Sequence, residues 1–201
     1  MSFSPTRDRQ FKTVLIGDTG VGKTSIRRSY MGKSFSSSHI ATLGVDFAQK
    51  NVKHKEANVR LAIWDLAGQH SFESVRKHYY QGCHSIIFVY SVIDSTSFIN
   101  SSRWFVEVSK YLKPLPCVAV LGNKIDLRST STATDVVSAK EGEEFSKRFD
   151  NKLGIPVVFR ETSALTGENI QEIFDEIVGM MLDENPLKYQ QSNNLRRMHK
   201  L

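Results

Sequence analysis

Residues 11–30 read Phe11-Lys12-Thr13-Val14-Leu15-Ile16-Gly17-Asp18-Thr19-Gly20-Val21-Gly22-Lys23-Thr24-Ser25-Ile26-Arg27-Arg28-Ser29-Tyr30. An apolar run, Phe11 to Gly17, has the composition of a strand, and Val21 to Tyr30 reads as a helix. Between them Gly17 to Thr24 matches G-x-x-x-x-G-K-[ST], a loop that cradles phosphate groups when it joins a strand to a helix. The glycines let consecutive backbone N–H groups turn inward onto phosphate oxygens, and the helix N-terminus adds a favourable dipole. Lys23 can reach β- and γ-phosphates, and the Thr24 hydroxyl suits Mg²⁺. Asp18, Thr19, Gly20, Val21, Gly22, Lys23, Thr24 and Ser25 are therefore candidate nucleotide contacts.

Outward from this loop, apolar strands alternate with helical patterns. Val45 to Val52 and Val59 to Trp64 are separated by a short polar turn, His54-Lys55-Glu56, which predicts an antiparallel hairpin. Ser85 to Ser91 and Cys117 to Gly122 are continuous apolar runs, as in parallel strands buried on both faces. Ser97 to Leu112 carries Phe98, Trp104, Phe105, Val108 and Leu112 at helical spacing. A helix from Ser138 to Phe149, a strand from Pro156 to Thr162 and a helix from Ile170 to Met181 complete the series. The expectation is one α/β domain with a mostly parallel, doubly wound sheet, one antiparallel hairpin strand and helices on both faces. Its bounds are set at residues 11–185, between a flexible extension at 1–10 and a flexible basic tail at 186–201.

Composition fits that reading. In 201 residues, apolar side chains make up 40% and charged ones 24%, the balance of an ordinary globular chain. No apolar run is long enough to span a membrane. Met1-Ser2-Phe3-Ser4-Pro5 lacks an apolar signal region, and Ser2 excludes myristoylation. Cys83 and Cys117 lie in apolar stretches, favouring reduced core thiols and a cytoplasmic setting. The net charge of +6 comes from the ends, where Arg7, Arg9 and Lys12 outnumber Asp8 and no acid follows Asn185. A neutral body with basic ends argues against a nucleic-acid surface. The six histidines show no metal-ligand spacing.

Two further motifs stand at predicted strand ends. In Asp65-Leu66-Ala67-Gly68-Gln69, the acid is placed to hold Mg²⁺ through water, Gly68 to offer an N–H to the terminal phosphate, and Gln69 to orient an attacking water. In Asn123-Lys124-Ile125-Asp126, the Asp126 carboxylate can accept from guanine's ring N–H and exocyclic amine, a donor pair that adenine lacks. Thr162-Ser163-Ala164-Leu165, at the next strand end, adds backbone donors near the base.

These segments, in this order, resemble a small GTPase of the Ras superfamily, nearest to the Rab branch. The resemblance covers about Phe11 to Leu182. It implies the P-loop G-domain fold with a six-stranded sheet, GTP/GDP and Mg²⁺ as ligands, slow hydrolysis and two nucleotide-sensing segments. Carried over by position, Thr42 in Ala41-Thr42-Leu43-Gly44 matches the first-switch threonine that binds Mg²⁺ with Thr24 and Asp65. Phe35 matches the aromatic over the guanine. Lys23, Thr42, Gly68 and Gln69 match the catalytic positions, and Asn123, Lys124, Asp126, Ser163, Ala164 and Leu165 the base site. Thr42 to Phe47 with Trp64 and Tyr79 match an effector surface whose aromatics are Phe47, Trp64 and Tyr79. An exchange factor, a GTPase-activating protein and a monomeric state are implied as well.

The chain departs from that pattern at several positions. Thr19 stands where Ras has glycine, Leu66 replaces the usual threonine, and His70 replaces an acid that pairs with the loop lysine during exchange. No cysteine follows Cys117, so a prenyl anchor is not expected. Leu195-Arg196-Arg197-Met198-His199-Lys200-Leu201 offers at most weak peripheral contact with anionic lipid. On the residues alone two other readings stay open. One is a nucleotide-loaded scaffold with little hydrolysis, which Gln69 disfavours; the other is an ATP-dependent phosphoryl transferase, which Asp126 disfavours.

Overall fold

A computed structural model of the chain describes residues 9–35, 42, 44–131, 135–153, 155 and 157–183. The elements run β1 (Arg9–Ile16), α1 (Lys23–Tyr30), β2 (Val45–His54), β3 (Ala57–Leu66), α2 (Glu73–Tyr80), β4 (Ser85–Ser91), α3 (Ser95–Tyr111), β5 (Cys117–Asn123), α4 (Ala139–Leu153), β6 (Val157–Thr162) and α5 (Ile170–Leu182). Single 3-10 turns cover His70–Phe72 and Ile125–Leu127. They form one six-stranded sheet in the order β2-β3-β1-β4-β5-β6. Only β2 runs antiparallel to its neighbour, the hairpin expected from the short polar turn. None of the described helices is long and apolar enough to cross a membrane.

The hairpin is longer than its apolar residues suggest. His54 pairs with Ala57, so the turn shrinks to Lys55 and Glu56, with Lys55 in the left-handed region. β1 likewise starts at Arg9, where Arg9 and Gln10 pair with Val59 and Arg60 although both are exposed. Backbone pairing extends these strands beyond what side-chain pattern reveals. Helix α2 is absent from the sequence reading for the opposite reason. Its only buried residues are Arg76 and Tyr80, and an inward arginine interrupts the apolar stripe that marks a helix. The expected tail at 186–201, residues 1–8 of the expected extension and the neighbours Ala41 and Leu43 of Thr42 lie outside the described residues.

Alternation along β1 divides the interior into two cores. Phe11 and Leu15 face α1 and α5, where Ile26, Tyr30, Ile173, Phe174 and Ile177 are buried. Val14 and Ile16 face the other layer, with Tyr80 of α2, Trp104, Phe105 and Val108 of α3, and Phe145 and Phe149 of α4. The Tyr30 and Phe174 rings stack at 3.9 Å and tie α1 to α5 across the first core. Every residue of β4 is buried, which is why its sequence is unbroken by charge. Thr13 and Ser85, polar residues inside this packing, satisfy each other across β1 and β4 with a 2.7 Å hydrogen bond.

The order of the sheet fixes where a ligand can sit. The connection from β1 through α1 runs to β2 on one side, and the connection from β3 through α2 crosses β1 to reach β4 on the other. That is the topological switch point, and the crevice opens at the carboxyl end of the strands. Gly17, Ala67 and Lys124, the residues that follow β1, β3 and β5, share that edge.

Candidate functional site

The phosphate-loop geometry requires its glycines. Gly22 has φ of 101°, and a Cβ there would lie 2.3 Å from Asn123 Nδ2. That contact joins the loop to the end of β5, where Asn123 Nδ2 also donates to the Val21 carbonyl at 2.8 Å. Lys23 opens α1 and is buried, with Nζ donating to the carbonyls of Gly17 (2.8 Å) and Asp18 (2.7 Å). Burial pushes its ammonium down to about 8, against the pull of Asp65 and Asp18. An anion in the loop would raise it again. The Asp18 carboxylate points elsewhere: it accepts from Asn100 Nδ2 at 2.7 Å and from Trp104 Nε1 at 2.6 Å, both on α3. Its backbone, and not its carboxylate, lines the loop.

Three side chains from separate elements meet beside Lys23. Thr24 Oγ1 donates to Asp65 Oδ2 at 2.5 Å and lies 2.8 Å from Thr42 Oγ1. Because the single Thr24 proton goes to Asp65, Thr42 is the donor in the second bond. Asp65 is fully buried, and its Oδ1 has no hydrogen-bond partner. Burial raises the pKa of its carboxyl above the ordinary range, opposed by Thr24, Lys23 and Arg27. A buried carboxylate oxygen without a partner, beside two hydroxyls, is a donor set of hard oxygens that fits Mg²⁺ or its bound water.

The segment after β3 is pressed onto the loop. A Cβ on Gly68 would lie 2.5 Å from both the Asp18 carbonyl carbon and the Thr19 nitrogen, so only glycine permits this approach. The next residue, Gln69, is held through its backbone, for Arg76 Nη1 donates to the Gln69 carbonyl at 2.5 Å and to the Ala67 carbonyl at 3.2 Å. Arg76 also grips Glu107 on α3 with Nε (2.8 Å) and Nη2 (2.7 Å), and Tyr80 donates its hydroxyl to the same carboxylate. Burial opposes the Arg76 charge, but the bonds to Glu107 outweigh it and hold the guanidinium above its ordinary value. Leu66 is buried in the core beneath this segment, so it acts through packing.

At the far side of the crevice, Asn123 Oδ1 accepts from Thr162 Oγ1 (3.3 Å) and the Ala164 N–H (3.2 Å), which locks the β5 and β6 ends together. Lys124 takes a left-handed φ of 71°, and burial lowers its pKa. Asp126 accepts from Ser163 Oγ at 2.5 Å, which orients the carboxylate, while Leu165 stays exposed. Arg128 braces both turns by bonding Glu161 of β6 through both Nη atoms and the Val137 carbonyl at 3.0 Å. Phe35 is 41% exposed.

A second surface lies on the hairpin. Phe47 and Trp64 stack at 5.1 Å, and Trp64 meets Tyr79 of α2 at 5.4 Å. Phe47 is 59% exposed, while Trp64 and Tyr79 are half-buried against the second core, so the cluster presents one exposed ring on two that are anchored in the fold. Lys12 Nζ lies 5.2 Å from the centre of the Trp64 ring.

The family model described as the Ras family matches residues 12–183. The chain belongs to the Ras family. This Ras-family protein is 38% identical over 180 residues to "GTP-binding protein YPTM2" of Zea mays, across 90% of its own length and 84% of the relative's. It is 40% identical over 171 residues to "Ras-related protein RABD2c" of Arabidopsis thaliana, across 85% of its length and 80% of the relative's. "Ras-related protein RABD2b" of the same plant matches to the same extent. It is accordingly a Rab-like small GTPase, of a family that hydrolyses GTP to GDP.

Sequence reasoning missed the residues that hold this Ras-family site from behind. Arg76, Glu107, Arg128 and the α3 partners of Asp18 all act across long sequence separations. Arg27, on the inward face of α1 with Ile26 and Tyr30, left a readable sign: a charge at a position the helical period assigns to the core.

Proposed function

We propose that this protein is a GTP-operated switch with slow intrinsic turnover, which recruits effectors for membrane traffic or signalling when GTP is bound. The observation that carries the reading is the meeting of Thr24, Thr42 and Asp65 beside Lys23, with Asp65 Oδ1 buried and unpartnered. The backbone from Asp18 to Ser25 wraps the phosphates, and Lys23 exchanges its two carbonyl partners for β- and γ-phosphate oxygens. Asp126 accepts from the guanine edge, with Asn123, Lys124, Ser163, Ala164 and Leu165 shaping the base pocket and Phe35 covering it. Thr24, Thr42 and, through water, Asp65 are the residues that would hold Mg²⁺, which when bound neutralises charge on the β- and γ-phosphates.

Hydrolysis here is positioning and electrostatics, with no covalent step on the protein. Gln69 orients the water and the Gly68 N–H meets the terminal phosphate. Arg27, Arg76 and Arg128, the arginines described around the site, are all committed to carboxylates, so none supplies an internal arginine finger. Turnover without a partner falls in the intrinsic-GTPase range of about 10⁻⁴–10⁻² s⁻¹, toward its slow end because the fast end belongs to an arginine supplied in cis. An activating protein and an exchange factor complete the cycle, and Phe47, Trp64 and Tyr79 form the effector-facing cluster. Single-turnover hydrolysis of bound GTP tests this: Gln69→Leu retains nucleotide and slows hydrolysis at least about tenfold. Equal rates in the two proteins remove Gln69 from its role, and no hydrolysis in the wild type favours a loaded scaffold.

A further inference from the structure

Arg27 brings a second cation into the corner formed by Thr24, Thr42 and Asp65. It lies on α1 and is only 7% exposed. Its guanidinium faces carboxylates from two different strands. Nη2 donates to Asp46 Oδ2 on β2, and Nε lies 4.0 Å from Asp65 Oδ2 on β3. Nε is buried with no hydrogen-bond partner, so it acts on Asp65 as a charge and not as a donor. The two acids differ in setting: the Asp65 side chain is fully buried, whereas that of Asp46 is 56% exposed.

A guanidinium keeps its proton even when buried. A metal ion held through Asp65 must therefore share that carboxylate with a fixed positive charge. We propose that Arg27 is an internal counter-cation of the magnesium site: it weakens the hold on Mg²⁺ and so quickens nucleotide release, while Asp46 moderates its charge. The inference rests on reading Thr24, Thr42 and Asp65 as the metal-holding residues of a nucleotide switch. With the metal gone, Asp65 keeps Thr24 and Arg27 as partners instead of being left as an uncompensated buried charge, which makes the metal-free state less costly. An opposite charge within about 4–6 Å alters a carboxylate's proton affinity by about one to three decades. The low end of that range, about tenfold, applies to a larger hydrated ion and corresponds to about 1.4 kcal/mol.

The test is release of a fluorescent GDP from the full chain at a series of EDTA-buffered Mg²⁺ concentrations, read as the free Mg²⁺ that half-suppresses release. Arg27→Met lowers that concentration about tenfold, and Arg27→Lys, which keeps the charge, stays closer to the wild type. Asp46→Asn raises it, because the variant removes a moderating negative charge and leaves Arg27 in place. A merely structural pin between α1 and β2 gives a different pattern, since either substitution breaks the same bond and both move release in one direction. Shifts of the same sign, or an unchanged value for Arg27→Met, overturn the proposal. If Arg27→Met does not fold, Asp46→Asn decides alone, since its carboxylate is half exposed: an unchanged or lowered concentration overturns it. A wild-type chain that retains no GDP at any Mg²⁺ concentration refutes the nucleotide reading itself, and the Arg27 proposal with it.

Discussion

Replacing Glu107 with alanine removes the acceptor on which α2 and α3 meet. The side chains of Arg76 and Glu107 are 1% and 7% exposed, so water cannot take the place of the lost carboxylate. Removing one partner of a buried ion pair costs about 3–5 kcal/mol because the other charge stays buried. The Tyr80 hydroxyl also loses its acceptor, at about 1–3 kcal/mol. Against this, Arg76 keeps the Ala67 and Gln69 carbonyls, which places the total near the low end, at about 4 kcal/mol. In a domain of this size each kcal/mol shifts Tm by about 2–4 °C, so Glu107→Ala melts about 8–16 °C below the wild type. Circular dichroism at one fixed, saturating GDP concentration measures it, since bound ligand itself raises Tm. Glu107→Gln keeps an acceptor for Tyr80 and loses less. A loss below about 1 kcal/mol for Glu107→Ala would mean that Arg76 and Glu107 behave as an exposed pair and do not hold α2 to α3.

Asp126→Asn weakens GTP binding by about 1–3 kcal/mol, the worth of one bidentate base contact, and improves binding of xanthosine triphosphate, as competition against fluorescent GDP would record. Phe47→Ala leaves Tm and intrinsic hydrolysis near wild type because the ring is 59% exposed, yet it lowers capture of partners by the GTP-loaded form by about 2 kcal/mol or more, the effect of an interface anchor. Burial pushes the thiols of Cys83 and Cys117 up to about 11 from the ordinary 9.0. A thiolate forms only as pH approaches the pKa, so at pH 8 both cysteines alkylate about a hundredfold more slowly than a free thiol, and the rate rises about tenfold per pH unit toward 11. Mass spectrometry of iodoacetamide adducts follows it.

The order of elements was legible because strands in a parallel sheet must be apolar on both faces. β4 matched its apolar run from Ser85 to Ser91 residue for residue, and the turn read as His54-Lys55-Glu56 was too short for a crossover helix, which left a hairpin. The motif residues could be placed at one edge because strand, loop and helix follow in sequence. Helix α2 could not be read, since its inward positions hold Arg76 and Tyr80 and their partner Glu107 lies 31 residues from Arg76. The engagement of Asp18 by Asn100 and Trp104 was equally hidden, at separations of 82 and 86 residues. Local pattern reports which face is apolar. Which polar side chains find each other across that face is decided by tertiary packing.

The proposed switch requires that the site at the carboxyl end of β1 select guanosine triphosphate over adenosine triphosphate. Displacement of fluorescent GDP from the purified full chain by GTP and by ATP, in the same buffer with Mg²⁺, tests it directly. A site built to bond the donor edge of guanine rejects a base lacking those donors by about 10⁴-fold or more, so GTP displaces the probe at stoichiometric amounts while millimolar ATP does not. Displacement by ATP at concentrations comparable to GTP would mean that the site does not select guanine.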